Sequence, residues 1–145
     1  MKKKILIALP IIFVLIQFVR IDKTNPKIVT EKDFITVENP PKEVADIIKT
    51  SCYDCHSNET IYPWYSNVAP VSWFLKHHIN DAREYFNFSE WKDISTKEKK
   101  HLFEEASEEV EKGDMPMFSY LLMHSEAKLS KEQKDLLIQY FESKK

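Results

Sequence analysis

The segment Cys52-Tyr53-Asp54-Cys55-His56 is the stretch on which the interpretation of this chain depends. In a C-x-x-C-H pattern, two thiols can add across the vinyl groups of a haem while the following imidazole ligates the iron. On a helical turn, positions i, i+3 and i+4 share one face, so both sulfurs and the imidazole can meet one porphyrin edge. The segment therefore predicts one covalent haem c, attached through Cys52 and Cys55, with His56 as the proximal iron ligand.

Two other uses of the cysteine pair are weaker. A thioredoxin-like redox motif belongs near a βαβ pattern, and the sequence shows no strand-helix-strand alternation. A structural zinc site needs four ligands, and the remaining histidines lack the paired spacing that would supply them. Those histidines are His77, His78, His101 and His124. Since the chain has only two cysteines, a disulfide framework is excluded.

The sixth iron ligand is predicted in the segment Gly113-Asp114-Met115-Pro116-Met117. Electron-transfer cytochromes usually place a methionine sulfur opposite the histidine. Met115 is the predicted distal ligand because the following proline favours an extended backbone that would turn its side chain out of the loop. Met117 is the alternative. Met123 and His124 are further contenders, although a methionine in an apolar run more often fills a core.

Composition and capping signals predict an all-α domain. A single glycine among 145 residues leaves little material for tight hairpins. One helix is predicted to begin near Pro40 and to run toward Cys52, and a second is predicted to begin at Pro70. A third begins at Ser95 or Thr96 and ends at Gly113, and the last is capped by Ser130 with Gln133 three residues later.

The amino terminus has the features of an export signal. Three lysines, at positions 2–4, precede an uncharged apolar run from Ile5 to Val19 that lacks the small residues of a cleavage site. We expect residues 1–21 to form a signal anchor and transmembrane helix, although a cleaved form is the alternative, because the run is shorter than the ~20 residues of a typical span. The expected layout continues with a polar tether at 22–39 and a haem domain at 40–145.

Charge distribution bears on location and partners. The positive-inside rule predicts a cytoplasmic amino terminus, a single membrane pass and an extracytoplasmic haem domain. Residues 1–20 hold four basic and no acidic side chains, which leaves 17 basic against 23 acidic residues in the remainder. This balance disfavours a nucleic-acid partner and suits a basic redox protein in or on the membrane.

The order of C-x-x-C-H, middle helices, a Met-Pro loop and a capped final helix resembles class I cytochrome c. In that fold the first and last helices pack across each other, a contact that Val44, Ile47, Leu137 and Tyr140 would supply here. More closely, the chain resembles a small haem-binding domain family of exported bacterial proteins over about residues 40–141. The resemblance rests on the haem motif with Ser57-Asn58-Glu59-Thr60, then Pro63-Trp64-Tyr65, Ala69-Pro70-Val71-Ser72-Trp73, Asn87-Phe88-Ser89-Glu90-Trp91 and Met115-Pro116. The resemblance implies a covalent haem in a single-pass protein of the bacterial inner membrane, with the haem domain facing the periplasm.

The predicted function is single-electron transfer by a membrane-anchored c-type cytochrome. Trp64 and Trp73 are predicted to wall the haem pocket, and Arg83 is a candidate partner for a haem propionate. The alternative is a haem-based sensor or peroxidase-like protein with an open distal site, in which His124 would be the acid-base residue. The sequence shows no enzyme active site and favours an electron carrier or haem-binding module over an enzyme.

Overall fold

Helices and short turns make up the fold. A computed structural model of the chain describes residues 2–145, and no β-strand occurs within them. The α-helices are α1 (Lys2–Ile16), α2 (Phe34–Glu38), α3 (Lys42–Ser51), α4 (Tyr53–His56), α5 (Val71–Tyr85), α6 (Thr96–Lys112), α7 (Phe118–Leu121) and α8 (Lys131–Glu142). Short 3-10 segments lie at Thr30–Lys32, Trp64–Asn67, Phe88–Asp93 and Ser125–Ala127, and the third of these is kinked at Glu90. The predicted all-α fold is confirmed.

The local capping signals fix the helix ends where the sequence predicts them. Ser95 accepts a hydrogen bond from the backbone of Glu98 at the start of α6, and Gly113 ends that helix with a φ of 83°. At α8, Ser130 and Gln133 form a complete capping box, each side chain bonded to the other's backbone. These contacts satisfy backbone groups that a helix leaves unpaired at its ends.

The core forms where α3, α6 and α8 meet. α6 and α8 pack along each other, and α3 packs on α8. The four residues predicted for the contact between first and last domain helices all lie in the buried core: Val44, Ile47, Leu137 and Tyr140. The motif helix α4 follows α3 almost directly and packs on α5, so the C-x-x-C-H turn is held at the edge of this core.

The segment 22–39 differs from the extended polar tether that the sequence suggests. Asp33 caps α2 by accepting a hydrogen bond from the Ile35 backbone, and the Phe34 side chain that follows is 0% exposed. The Phe34 ring meets Phe88 and Trp91 edge-on, with centroids 4.9 and 5.0 Å away. The folded unit therefore begins before Pro40, because one aromatic residue in a polar stretch supplies a central piece of the core.

Replacing Phe34 by alanine is expected to lower the free energy of unfolding by about 3–5 kcal/mol, since it empties a fully buried aromatic site. Urea denaturation of the purified protein measures this change. Phe118→Ala is the control, because Phe118 is 76% exposed and its removal should change stability by about 0.5 kcal/mol or less. Equal changes in the free energy of unfolding for the two variants would instead support the interpretation of residues 22–39 as a free tether.

The amino-terminal helix α1 covers fifteen residues and contains Pro10. Within residues 2–145, the structure shows no helix that combines the length and the apolar character needed to cross a membrane. The predicted transmembrane helix at 1–21 is therefore not supported by the described helices.

Candidate functional site

The C-x-x-C-H motif forms a single helical turn. The carbonyl oxygen of Cys52 accepts hydrogen bonds from the backbone N–H groups of Cys55 at 3.2 Å and His56 at 2.9 Å. This turn is the geometry that the spacing predicts. It begins at the carboxyl end of α3, so the position of both sulfurs and of the imidazole follows from the packing of α3 in the core.

A cavity of about 410 Å³ lies beside this turn. Ligand pockets in proteins commonly have volumes of about 300–1,000 Å³, with mostly apolar walls. Cys52, His56 and Met115 all line the cavity, whereas Cys55 lines a separate, much smaller cleft together with Asp54 and Tyr65. Its apolar walls come from Phe86, Phe88, Leu102, Ala106, Val110, Leu129, Leu137 and Phe141. The cavity thus brings together a thiol, an imidazole and a thioether in an apolar setting, and this donor set fits a haem.

His56 is oriented by the residue that ends α5. Its Nδ1 lies 3.4 Å from the carbonyl oxygen of Phe86, and its ring stacks on the Phe86 ring with centroids 4.2 Å apart. Burial lowers the pKa of His56, so the imidazole is neutral near pH 7. When Nδ1–H donates to a backbone carbonyl, Nε2 is the nitrogen left to bind a metal. His56 therefore has the protonation state and the support of an iron ligand.

Partial burial of Cys52 and Cys55 keeps both thiols protonated in the folded, haem-free chain. It raises the pKa of Cys52 to about 12, with a smaller contribution from Cys55, and that of Cys55 to about 11, with a smaller contribution from Asp54. An unperturbed cysteine has a pKa of about 8.5. The thiolate is the reactive form of cysteine, so the closed fold suppresses the reactivity of the motif.

Haem-free protein is therefore expected to react slowly with iodoacetamide at pH 8, with a rate that climbs only above about pH 10. In urea, both thiols should react like ordinary cysteines near pH 8.5. Because the folded-state pKa values are raised, the thiols' contribution to stability is complete below about pH 8.5 and is lost as the pH rises toward 11–12. Mass spectrometry follows the alkylation, and equal rates in buffer and urea would contradict the burial of the thiols.

Both residues between the cysteines hold the motif in place. The Tyr53 hydroxyl donates to the carboxylate of Asp33 at 3.0 and 3.1 Å, which joins the motif to the cap of α2. The Asp54 carboxylate accepts from the Tyr120 hydroxyl at 2.7 Å and from the Ile61 backbone at 2.9 Å. These partners are 7 to 66 residues away in sequence, so only the backbone contact of Asp54 is local enough to expect from the sequence.

Arg83 braces the segment that follows the motif. Its Nε donates to the carbonyl of Ser57 at 2.8 Å, and a terminal nitrogen donates to Thr60 Oγ1 at 2.8 Å and Asn25 Oδ1 at 3.0 Å. Arg83 does not line the cavity. The structure thus gives this guanidinium a role in joining α5, the motif and the amino-terminal segment, and this role differs both from a propionate contact and from a solvated helix position.

The predicted distal ligands separate in the structure. Met115 lines the cavity and is 37% exposed. Met117 instead stands at the start of α7 and does not line the cavity. His124 is also outside it: its Nε2 lies 2.8 Å from the Tyr65 hydroxyl and its Nδ1 lies 3.1 Å from Glu126. Only Met115 among these three shares the cavity with His56.

The two tryptophans proposed as pocket walls lie elsewhere. Trp64 is 70% exposed, and Trp73 donates its indole N–H to the carbonyl of Val19 at 3.0 Å. The aromatic walls are formed by Phe86 and Phe88, together with Tyr85 and Phe141. Neither tryptophan lines the cavity shared by His56 and Met115, and Trp73 instead contacts the amino-terminal segment at Val19.

Comparison with protein-family models settles the family. The model described as "Haem-binding domain" matches residues 11–143, nearly the whole chain. The chain belongs to the haem-binding domain family. No curated protein and no solved structure matches it significantly. The family assignment agrees with the resemblance drawn from the sequence, and haem is the ligand that it supports.

The competing uses of the cysteine pair find no support in the haem-binding domain. Across residues 2–145, no group of three or more His, Cys, Asp or Glu side chains is placed to hold a metal ion. The same range lacks the strands of a βαβ unit. The zinc and thioredoxin-like alternatives therefore lose their structural basis.

Proposed function

We propose that this haem-binding domain is a c-type electron carrier, in which Cys52 and Cys55 would attach one haem covalently and His56 and Met115 would hold its iron. The observation that carries the proposal is the single cavity shared by Cys52, His56 and Met115. A bound haem supplies the one-electron chemistry. The protein supplies the ligands and an apolar enclosure.

Different residues that line the cavity have different roles in the proposed electron carrier. The Phe86 carbonyl orients His56, and a thioether ligand from Met115 would raise the reduction potential and occupy the site where an external ligand would bind. The apolar walls exclude water, which also tunes the potential. Glu105, Glu108, Glu109 and Lys112 line the same cavity, and Lys112 pairs with Glu108 and Glu109. The three carboxylates outnumber the one ammonium group, a balance that suits a basic redox partner.

The decisive experiment is a potentiometric titration of holoprotein made with c-type maturation machinery, combined with carbon monoxide exposure of the reduced form. A reversible one-electron transition and refusal of carbon monoxide are expected. Prompt carbon monoxide binding would favour the haem-based sensor or peroxidase-like alternative. The sensor or peroxidase-like alternative would need an acid-base residue in the cavity. His124, the histidine considered for this role, is hydrogen-bonded to Tyr65 and does not line the cavity.

We further propose that the amino-terminal region holds the domain at the bacterial inner membrane, with the haem domain in the periplasm and its redox partners in or on the membrane. Support comes from the lysines before the apolar run and from the exposed apolar side chains of α1. Carbonate washing of membranes and a periplasmic reporter fused after Lys145 test the proposal. Release into the soluble fraction would overturn the anchor, and a silent periplasmic reporter would overturn the location.

A further inference from the structure

The exit from α1 onto the domain is fixed by hydrogen bonds. The Gln17 side chain donates a hydrogen bond to the carbonyl oxygen of Ala69 at 3.0 Å and accepts one from the backbone N–H of Ala69 at 2.9 Å. Arg20 donates to the Asn67 carbonyl at 2.8 Å. The Trp73 indole N–H also donates to the Val19 carbonyl oxygen. Together these hydrogen bonds connect residues 17–20 to the surface formed by residues 67–73. The direction in which α1 leaves the domain is therefore set by the fold.

An apolar, partly aromatic surface surrounds this exit. Trp64 belongs to the same 3-10 turn as Asn67, whose side chain donates to the Trp64 carbonyl at 3.0 Å. Val71 and Phe74 lie three residues apart in the first turn of α5, hence on one face, and both are about half exposed. The turn and α5 pack on each other. We call Trp64, Val71 and Phe74 the docking patch.

Basic side chains flank the docking patch. Arg20 and Lys23 are exposed and both reach Asn67, with Lys23 Nζ 2.6 Å from its Oδ1. On the other side of the exit, every large apolar side chain of α1 from Leu6 to Leu15 is more than half exposed. An apolar helix followed by tryptophan and basic residues is the order found where a chain passes from lipid through the headgroup layer.

We propose that the docking patch rests in the headgroup layer of the same anionic phospholipid bilayer that receives α1. This inference rests on the membrane anchor proposed above and adds to it. The hydrogen bonds of residues 17–20 place the patch beside the point where α1 leaves the domain, so insertion of α1 brings the patch to the bilayer surface. The haem domain then sits on the membrane in one orientation and does not move on a flexible tether.

The docking patch and the haem cavity are separate sites on α5. Val71 and Phe74 lie in its first turn, whereas Tyr85, which lines the cavity, is its last residue. A helix rises 1.5 Å per residue, so about 20 Å of helix separates Val71 from Tyr85. Changes to the patch should therefore leave the haem absorption spectrum unchanged, which provides an internal control for folding and haem loading.

Site-directed spin labelling of full-length holoprotein in nanodiscs of phosphatidylethanolamine and phosphatidylglycerol tests the proposal. In the proposed holoprotein the native cysteines are bonded to haem, so labels can be attached singly to Val71→Cys in the patch, Val14→Cys in α1 and the exposed Lys42→Cys on α3. The ratio of collision with oxygen to collision with a water-soluble nickel chelate reports depth in the bilayer. We expect a ratio several-fold higher at 71 than at 42, and highest at 14.

Each outcome has one meaning. A lipid-like ratio at 14 with a water-like ratio at 71 would overturn the docking proposal and leave the anchor standing, whereas water-like ratios at both would overturn the anchor itself. A label at 71 shielded from both reagents would indicate a protein, such as a second copy of the chain, on the patch and would also overturn docking. Adding Trp64→Ala and Phe74→Ala should move the label at 71 toward water, while Phe118→Ala should not.

Discussion

Replacing both Cys52 and Cys55 by serine is expected to abolish the covalent attachment of haem completely. Each thioether bond needs its own cysteine sulfur, and a serine hydroxyl cannot replace a thiolate as the nucleophile. Each single serine variant should retain at most one bond. Haem staining after denaturing electrophoresis, together with the intact mass of the purified protein, distinguishes two bonds, one bond and none.

The matched control for this prediction is Tyr53→Phe, which changes the residue between the cysteines but keeps both sulfurs. Its hydroxyl contacts Asp33 and not the cavity, so covalent haem should be retained while stability falls by about 1–3 kcal/mol, the cost of leaving the buried carboxylate without this donor. Haem that stays attached through denaturation in the double serine variant would remove the basis for covalent attachment.

Structural features of the haem-binding domain that depend on residues close together in the sequence could be predicted from the sequence. The caps at Ser95 and Ser130 and the helix end at Gly113 depend on hydrogen bonds that span three or four residues, and all three are present. The C-x-x-C-H turn belongs to the same class, because its geometry is set within five residues. Local chemistry determines these elements almost independently of the rest of the fold.

Features that depend on distant contacts were not predictable. Phe34 stands in a polar segment, and only the aromatic residues 54 to 106 positions later, Phe88, Trp91 and Tyr140 among them, give it a core to enter. Likewise, the exposed Trp64 and the cavity-lining Phe86 have similar apolar character in the sequence. Which aromatic ring faces the cavity is decided by how α5 and the following turn pack against the motif, and periodicity carries no information on that choice.

Replacing Met115 by alanine is expected to remove the near-infrared charge-transfer band of a sulfur-to-iron bond from the oxidised holoprotein. The same substitution should lower the reduction potential, because a methionine ligand raises it, and should open the reduced protein to carbon monoxide. Met115 is the methionine that shares the cavity with His56, and its half-exposed position lets a replacement occur without emptying a core site. An absorption spectrum from the ultraviolet to the near-infrared measures the first effect, and a potentiometric titration measures the second.

Met117→Ala is the matched control, because it deletes the same side chain two residues later. Met117 caps the start of α7 and lies outside the cavity, so the charge-transfer band and the reduction potential of Met117→Ala should equal those of the unchanged protein. Loss of the band in Met117→Ala and its survival in Met115→Ala would reverse the assignment, and it would require the loop before α7 to rearrange when haem binds. A protein whose spectrum is high-spin before any substitution would instead show that neither sulfur binds the iron, and the electron-carrier proposal would yield to an open distal site.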